Sequence, residues 1–320
     1  MKLAVLTAPA TFEIVDAPVP SVAPDEVLVR VAACGVCTSE LDMWQGLGRE
    51  RFPLQPGHEV SGTVTETGSA VTDIAVGDRV AVWATGGGFA EYVAVKAQYC
   101  RPAGDVPLDL ALAEPLACSV NTVELADVRL ADDVVIIGAG YMGNLVQQLV
   151  ALRGARHVIV ADTRPDALER AKRLGATRVV DVRSESLEDI VAEVTDGRGA
   201  DITFEVTGAQ SALDVLGQVT RMSGKIVIVG YHQGESRHIP LGEWNWMAFE
   251  IVNAHFRDVA TIMRGMTIGM KLLLSGQLTM EPLVTHRFPL EDVAQAFLTA
   301  HQKPVGFAKA VVTMNGSSPA

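Results

Sequence analysis

The sequence predicts an α/β protein in two parts, a β-rich first unit and a doubly wound parallel sheet. Three observations carry that expectation. Residues 1–118 hold short β-branched runs separated by Gly, Asp and Pro, the pattern of closely spaced strands in a barrel-like or sandwich-like unit. From residue 119 to 257, continuous apolar runs alternate with helix-periodic segments, as in a parallel sheet with helices on both faces. The length, 320 residues, suits two domains at roughly 100–200 residues each.

Taken in order, "MKLAVLTAPATFEIVD" opens with strand-like alternation, and its apolar run is too short for a signal peptide. "EVLVRVAACG", "VSGTVTETG", "GDRVAVWA" and "GFAEYVAV" are the strands of the first unit. "DDVVIIGAG" is a buried strand and "YMGNLVQQLVALRGA" the helix after it. "HVIVADT" and "RPDALERAKRLGA" repeat the unit, and "TRVVDV", "DITFEVTG", "GKIVIVG" and "FEIVNAHF" continue the sheet. From about residue 258 the pattern loosens into a helix ("IMRGMTIGMKLLLSG"), a strand ("LVTHRFPL"), a helix ("PLEDVAQAFLTAHQ") and a last strand ("FAKAVVTM") that returns to the first unit. "NGSSPA" reads as a frayed tail.

Composition excludes several classes. A net charge of −12 argues against a nucleic-acid binder, which needs a basic face, and against an acidic membrane surface as partner. No uncharged run reaches the ~20 residues of a membrane helix. Four cysteines in so long a chain make no disulfide framework, so a cytoplasmic protein with reduced thiols is expected.

Gly138, Gly140 and Gly143, with Tyr141 and Met142 between them, form G-x-G-x-x-G. Here the motif follows a buried strand and opens a helix, the context of a dinucleotide fingerprint. Gly138 serves the tight turn, Gly140 lets backbone approach a pyrophosphate, and Gly143 lets helix and strand close up. Asp162 ends the next strand, where a carboxylate accepts from the adenosine ribose hydroxyls and repels a 2′-phosphate. NAD is therefore expected over NADP, with Arg164 two residues later softening the choice.

"VAACGVCTSELDMWQG" holds two of the four cysteines, Cys34 and Cys37. His58 and Glu59 sit in the Gly-rich "PGHEVSG", and Glu114 opens "EPLACS" at the domain junction. One Cys, one His and a carboxylate, with water completing the set, make a catalytic zinc shell with an open position. A redox dithiol would place C-x-x-C at a helix start near a βαβ unit, and these surroundings are β-rich. A structural four-cysteine zinc would need a second pair, but Cys100 and Cys118 are far apart in sequence. Cys37 is read as the ligand and Cys34 as a small buried neighbour.

With these motifs in order along nearly its whole length, the chain resembles the zinc-dependent medium-chain dehydrogenase/reductases, the superfamily of alcohol, sorbitol and threonine dehydrogenases. "GVCTSELDMWQG" matches the family's G-x-C-[GR]-[ST]-D-x-H block. "PGHEVSGTV" matches its G-H-E block, "EPLACS" its third-ligand segment and "VVIIGAGYMG" its nucleotide fingerprint. The resemblance implies a GroES-like β-rich catalytic domain (1–118), a Rossmann domain with a doubly wound parallel sheet (119–257) and a C-terminal return to the catalytic domain (258–320). It puts Cys37, His58 and Glu114 on the zinc-ligand positions and Glu59 on the second-shell or exchange ligand. Which glutamate binds in the resting enzyme stays open. Ser39 falls on the hydroxyl that receives the alcohol proton. Thr207, Gly208 and Gly230 fall along the path from adenosine to nicotinamide, with Cys118 near the ring.

The chain departs from the family pattern in three places. Glu40 replaces the Asp after Ser/Thr, Asp42 replaces the His at the outer end of the proton relay, and "AVWATGGGFAEYV" runs through the place of the usual structural-zinc lobe. One zinc per chain is expected. The resemblance implies NAD-dependent oxidation of a secondary alcohol, of a polyol, cyclitol or amino alcohol, to its ketone. It also implies a homodimer or homotetramer, with Trp244 and Trp246 leading into the interface. The alternatives are a zinc-free NADPH enone or quinone reductase of the same superfamily, and a non-enzymatic NAD-binding redox sensor.

Overall fold

The computed structural model describes residues 1–48, 51–232, 234 and 236–314, so the tail expected to fray lies outside the described residues. The chain forms two compact units, Met1–Ala117 with Ile262–Ala320, and Cys118–Thr261.

The first unit opens with an antiparallel hairpin, β1 (Lys2–Ala8) and β2 (Thr11–Asp16). Then come β3 (Glu26–Gly35), α1 (Ser39–Gln45), β4 (Glu59–Thr67), β5 (Arg79–Trp83), β6 (Tyr92–Lys96), β7 (Cys100–Pro102) and the start of α2 (Ala113–Ala126). The second unit runs β8 (Asp133–Ile137), α3 (Tyr141–Leu152), β9 (His157–Asp162), α4 (Pro165–Arg173), β10 (Arg178–Asp181), α5 (Leu187–Val194), β11 (Ala200–Glu205), α6 (Gln210–Val219), β12 (Thr220–Ile228), α7 (Leu241–Trp246) and β13 (Glu250–Asn253). The chain closes with α8 (Val259–Leu274), β14 (Val284–Pro289), α9 (Val293–Gln302) and β15 (Lys309–Thr313).

In the first unit the strand order is β14-β15-β3-β4-β5-β7, with β6 also on β3. β3 is the hub. Val27, Val29 and Val31 pack with Val60, Val82, Phe89 and Val312, and Phe297 of α9 caps the cluster against the Phe12 and Phe89 rings. Two helices interrupt this β-rich stretch. α1 has only seven residues, too few for helical periodicity to show against its neighbours, although Leu41 and Trp44, one turn apart, are both buried. α2 carries Pro115 in its first turn, where a missing N–H costs nothing.

The second unit is a parallel sheet of order β10-β9-β8-β11-β12-β13 among the described residues. Every residue of β8 is buried, as a central strand covered on both faces requires. Strand order reverses between β8 and β11, the topological switch point outside whose carboxyl ends ligands bind in such sheets. Trp244 is packed in this core, whereas Trp246 is 79% exposed, so the two tryptophans do different things. No helix among the described residues is long and apolar enough to cross a membrane.

Candidate functional site

The first candidate site stands where β3 hands over to α1 and β4 begins. Antiparallel pairing sets Gly35 opposite Glu59, and β15, on the other side of β3, sets Val311 opposite Gly35. Cys37 follows β3 by two residues, and His58 precedes β4 by one. The Sγ of Cys37, a ring nitrogen of His58 and a carboxylate oxygen of Glu59 all lie within 4.8 Å of one another. One soft thiol, one imidazole and one carboxylate converging at that spacing is a donor set that suits Zn²⁺.

Glu40, buried on α1, organises this cluster. Its Oε1 accepts from Gly57 N–H at 2.7 Å and lies 3.0 Å from His58 Nδ1, and its Oε2 accepts from Cys37 N–H at 3.4 Å. A carboxylate on Nδ1 leaves Nε2 for the cluster, the usual way a metal-bound imidazole is oriented. Burial opposes charge on both partners. Even so, the Glu40 carboxylate beside it and the Cys37 thiol push His58 well above the ordinary imidazole range, and His58 holds Glu40 below the ordinary carboxylate range.

Lys309 completes the setting. Its ammonium donates to Glu59 Oε1 at 2.7 Å and lies 2.6 Å from Oε2, and both side chains are almost wholly buried. Burial alone would lower Lys309, but Glu59 first and Cys37 next hold it above its ordinary value. Among the described residues Oε2 has no hydrogen-bond partner beyond this ion-pair contact, which leaves a lone pair for a metal. Sequence reading missed Lys309. Its one signal was a lone charge inside the apolar run "GFAKAVV".

The remaining predicted residues fall around this core. Ser39 Oγ donates to Cys37 Sγ at 3.2 Å. Asp42 is half-buried three residues further along α1, on the same helix face as Ser39. Glu114 does not join the three converging donors. It lies in the first turn of α2, close enough to contribute to the raised Lys309. Cys34 is buried on β3, where burial pushes its thiol well above the ordinary value, an inert environment rather than that of a redox thiol.

The second candidate site lies at the carboxyl ends of β8 and β9. Gly138 turns with φ +113°, and a Cβ on Gly143 would fall 1.8 Å from the Gly138 carbonyl oxygen, so no other residue fits there. Nothing lies within 4 Å of a Cβ on Gly140, which leaves a cradle of the kind a pyrophosphate fills. Tyr141 and Met142 open α3, Tyr141 buried and Met142 partly so. Asn144, which the fingerprint does not include, donates to the carbonyls of Ala139 at 2.6 Å and Gly140 at 2.8 Å, tying the loop down. Asp162 accepts from Ala139 N–H at 2.8 Å and from Arg164 N–H at 2.9 Å, with Arg164 Nε 3.5 Å away. Thr207 and Gly208 form the turn after β11, and Gly230 lies in the turn after β12.

Known protein families match stretches of both units. Residues 23–105 match the model of the alcohol dehydrogenase GroES-like domain, and residues 142–266 that of the zinc-binding dehydrogenase domain. Sorbitol dehydrogenase from Gallus gallus is 32% identical, over 88% of each chain. L-threonine 3-dehydrogenase from Ruegeria pomeroyi is 28% identical, over 88% of this chain and 91% of its own. The crystal structure of 2R,3R-butanediol dehydrogenase from Bacillus subtilis superposes with a TM-score of 0.85 at 27% identity, covering 98% of this chain and 99% of its own.

Proposed function

The chain belongs to the zinc-dependent medium-chain dehydrogenase/reductases and is an alcohol/polyol oxidoreductase, and from that premise we propose that it oxidises a secondary alcohol of a polyol, cyclitol or amino alcohol to the ketone with NAD. The observation that carries the metal half of this reading is the convergence of Cys37, His58 and Glu59 within 4.8 Å. These three would hold one Zn²⁺ per chain, with Glu114 available as an exchanging carboxylate. When bound, the metal supplies a Lewis acid that lowers the pKa of the substrate hydroxyl.

The chain's own groups do the rest. Glu40 orients His58, and Lys309 fixes the Glu59 carboxylate. Ser39, beside Cys37, takes the substrate's hydroxyl proton and passes it outward, and Asp42 on the same face of α1 receives it where relatives of this pattern carry His. Asp162 accepts from the adenosine ribose and disfavours a 2′-phosphate, while the amides around Gly140 take the pyrophosphate. The named substrates of the sorbitol, threonine and butanediol relatives support a substrate with a second polar group next to the reacting carbinol.

The edge strand β13 and the exposed Trp246 and Ile251 support a homo-oligomer joined at that edge. Four free cysteines support a reducing, cytoplasmic setting. An NAD-reduction screen over polyols, cyclitols and amino alcohols, run with and without a zinc chelator, tests the proposal. Chelator-sensitive turnover with NAD on one of these classes is expected. Chelator-insensitive turnover, or a preference for NADP, overturns it.

A further inference from the structure

We infer that His232, held by the buried Glu205, is a side-chain hydrogen-bond acceptor for the nicotinamide-riboside half of the cofactor. The inference rests on the nicotinamide-cofactor reading of the second unit. It concerns a residue that the fingerprint and the flanking turn glycines do not include.

Glu205 ends β11 with its side chain fully buried. Its Oε1 takes three donors, Thr207 N–H at 2.6 Å, Thr207 Oγ1 at 2.6 Å and Gly208 N–H at 2.9 Å. Its Oε2 lies 2.7 Å from His232 Nε2, and its backbone carbonyl accepts from Val229 and Gly230 N–H at 2.8 and 2.9 Å. One residue thereby fastens the turn after β11 to the turn after β12. The fit is tight, because a Cβ on Gly230 would lie 2.3 Å from both Glu205 Oε2 and Gly208 N. His255 adds a third strand end through its Nε2, 3.2 Å from the Gly230 carbonyl.

This arrangement fixes the tautomer of the neutral imidazole. Because Nε2 faces a carboxylate, it carries the ring proton, and in the neutral ring Nδ1 presents a lone pair. Nδ1 is shielded from water, and no group among the described residues donates to it. A buried acceptor left without a donor is costly, and its persistence in a folded protein calls for a reason.

The sheet supplies one. The fingerprint stands at the end of β8, and Asp162, at the end of β9, takes the adenosine side. A dinucleotide laid across the switch point therefore carries its other half over the ends of β11 and β12, where His232 sits. That half offers two kinds of donor, the carboxamide N–H₂ of nicotinamide and the hydroxyls of its ribose.

The test is titration of the purified protein with NADH, ADP-ribose and ADP, followed by fluorescence or calorimetry, comparing the unaltered chain with His232→Phe and Glu205→Gln. In Glu205→Gln an amide donor faces Nε2, so the ring must turn its proton to Nδ1 and the acceptor is lost while the ring stays. Both variants are expected to bind ADP as before and NADH roughly 3- to 10-fold more weakly, the effect of one hydrogen bond. Unchanged ADP-ribose binding assigns the contact to the carboxamide, and a matching loss assigns it to the ribose. Equal losses for all three ligands, or none for NADH, overturn the inference. An unaltered protein that binds ADP but not NADH overturns the cofactor reading itself.

Discussion

Lys309 reaches across the bare backbone of Gly35 to set its ammonium 2.7 Å from the Glu59 carboxylate, a buried ion pair between residues 250 apart in sequence. The pairing of β3 with β4 and with β15 makes this contact possible, because Gly35 stands between the two strands that carry the charges. A Cβ at residue 35 would fall 2.0 Å from Glu59 Oε2 and 3.0 Å from Lys309 Cε.

Removing the ammonium should therefore be worse than removing both charges. Lys309→Met leaves a buried carboxylate unpaired and is expected to cost about 3–5 kcal/mol, whereas the double variant Lys309→Met with Glu59→Leu recovers much of that loss. The double variant, which also removes a metal donor, should not retain zinc. Gly35→Ala should also lower metal content by displacing the Glu59 carboxylate. Urea unfolding with metal analysis on the same samples checks all three, and a double variant as unstable as Lys309→Met or more so would show that the loss does not come from the unpaired carboxylate.

The two glutamates that sequence reading left open differ in place. Glu59 converges with Cys37 and His58, and Glu114 does not. Glu59→Ala is expected to lose zinc at a chelator concentration that Glu114→Ala withstands, while Glu114→Ala lowers turnover with the metal still bound. Elemental analysis of the unaltered chain should give one zinc per chain, and two tightly held zincs would refute the single-site reading.

Glu40 touches Gly57, His58 and Cys37 at once, so its removal unfixes two donors together. Glu40→Ala is expected to weaken zinc binding by roughly 10- to 100-fold, as loss of the group that orients a metal-bound imidazole generally does. Competition with a chromogenic chelator measures this. Glu40→Gln, which keeps an acceptor oxygen, should fall between the two.

Asp162 anchors Ala139 and, on the proposed reading, repels a 2′-phosphate. Asp162→Ser removes the negative charge that would oppose the phosphate, so the ratio of kcat/KM for NAD to that for NADP is expected to fall roughly 10- to 100-fold. Steady-state kinetics with both cofactors decides it. An unchanged ratio would place cofactor choice elsewhere.

Much of this molecule was legible because its signals are local. The β-branched run of β3, the apolar β8 with its glycines and the helix α8 all read directly from neighbours in sequence. Cys37 and His58 were legible because their motifs are short. What escaped depends on pairing between distant strands. Lys309 acquires its role only when β15 lies beside β3, and Glu205 only when the turns after β11 and β12 close on its carboxylate. Glu40 was noted as a departure from pattern, but the extra methylene gives no hint in sequence that it spans three backbone and ring nitrogens. Helices α1 and α2 escaped for a different reason, being short or opened by proline within a β-rich stretch.

A last prediction concerns acid stability. Asp133, the first residue of β8, is fully buried and meets Arg156, His157 and Arg198, and Arg198 also meets Asp201, which takes Arg221 and the Asp133 N–H. Burial works against both carboxylates. Hydrogen bonds from Arg156 and His157 nevertheless hold Asp133 below its ordinary value, and those from Arg198, the Asp133 N–H and Arg221 hold Asp201 lower still. A carboxylate whose folded pKa lies below its unfolded value of about 3.9 contributes stability that is complete above that value and is lost as pH falls through the folded one. Asp133→Asn is therefore expected to cost about 2–3 kcal/mol at pH 7, less than a wholly buried pair because the arginines are half-exposed. The difference between variant and unaltered chain should hold from pH 7 to about 5 and narrow below about pH 4. Urea unfolding of the second unit, followed at pH 7, 5, 4 and 3, measures it. Because every other carboxylate is common to both proteins, a difference that stays constant across that range would mean that packing, not charge, is what Asp133 contributes.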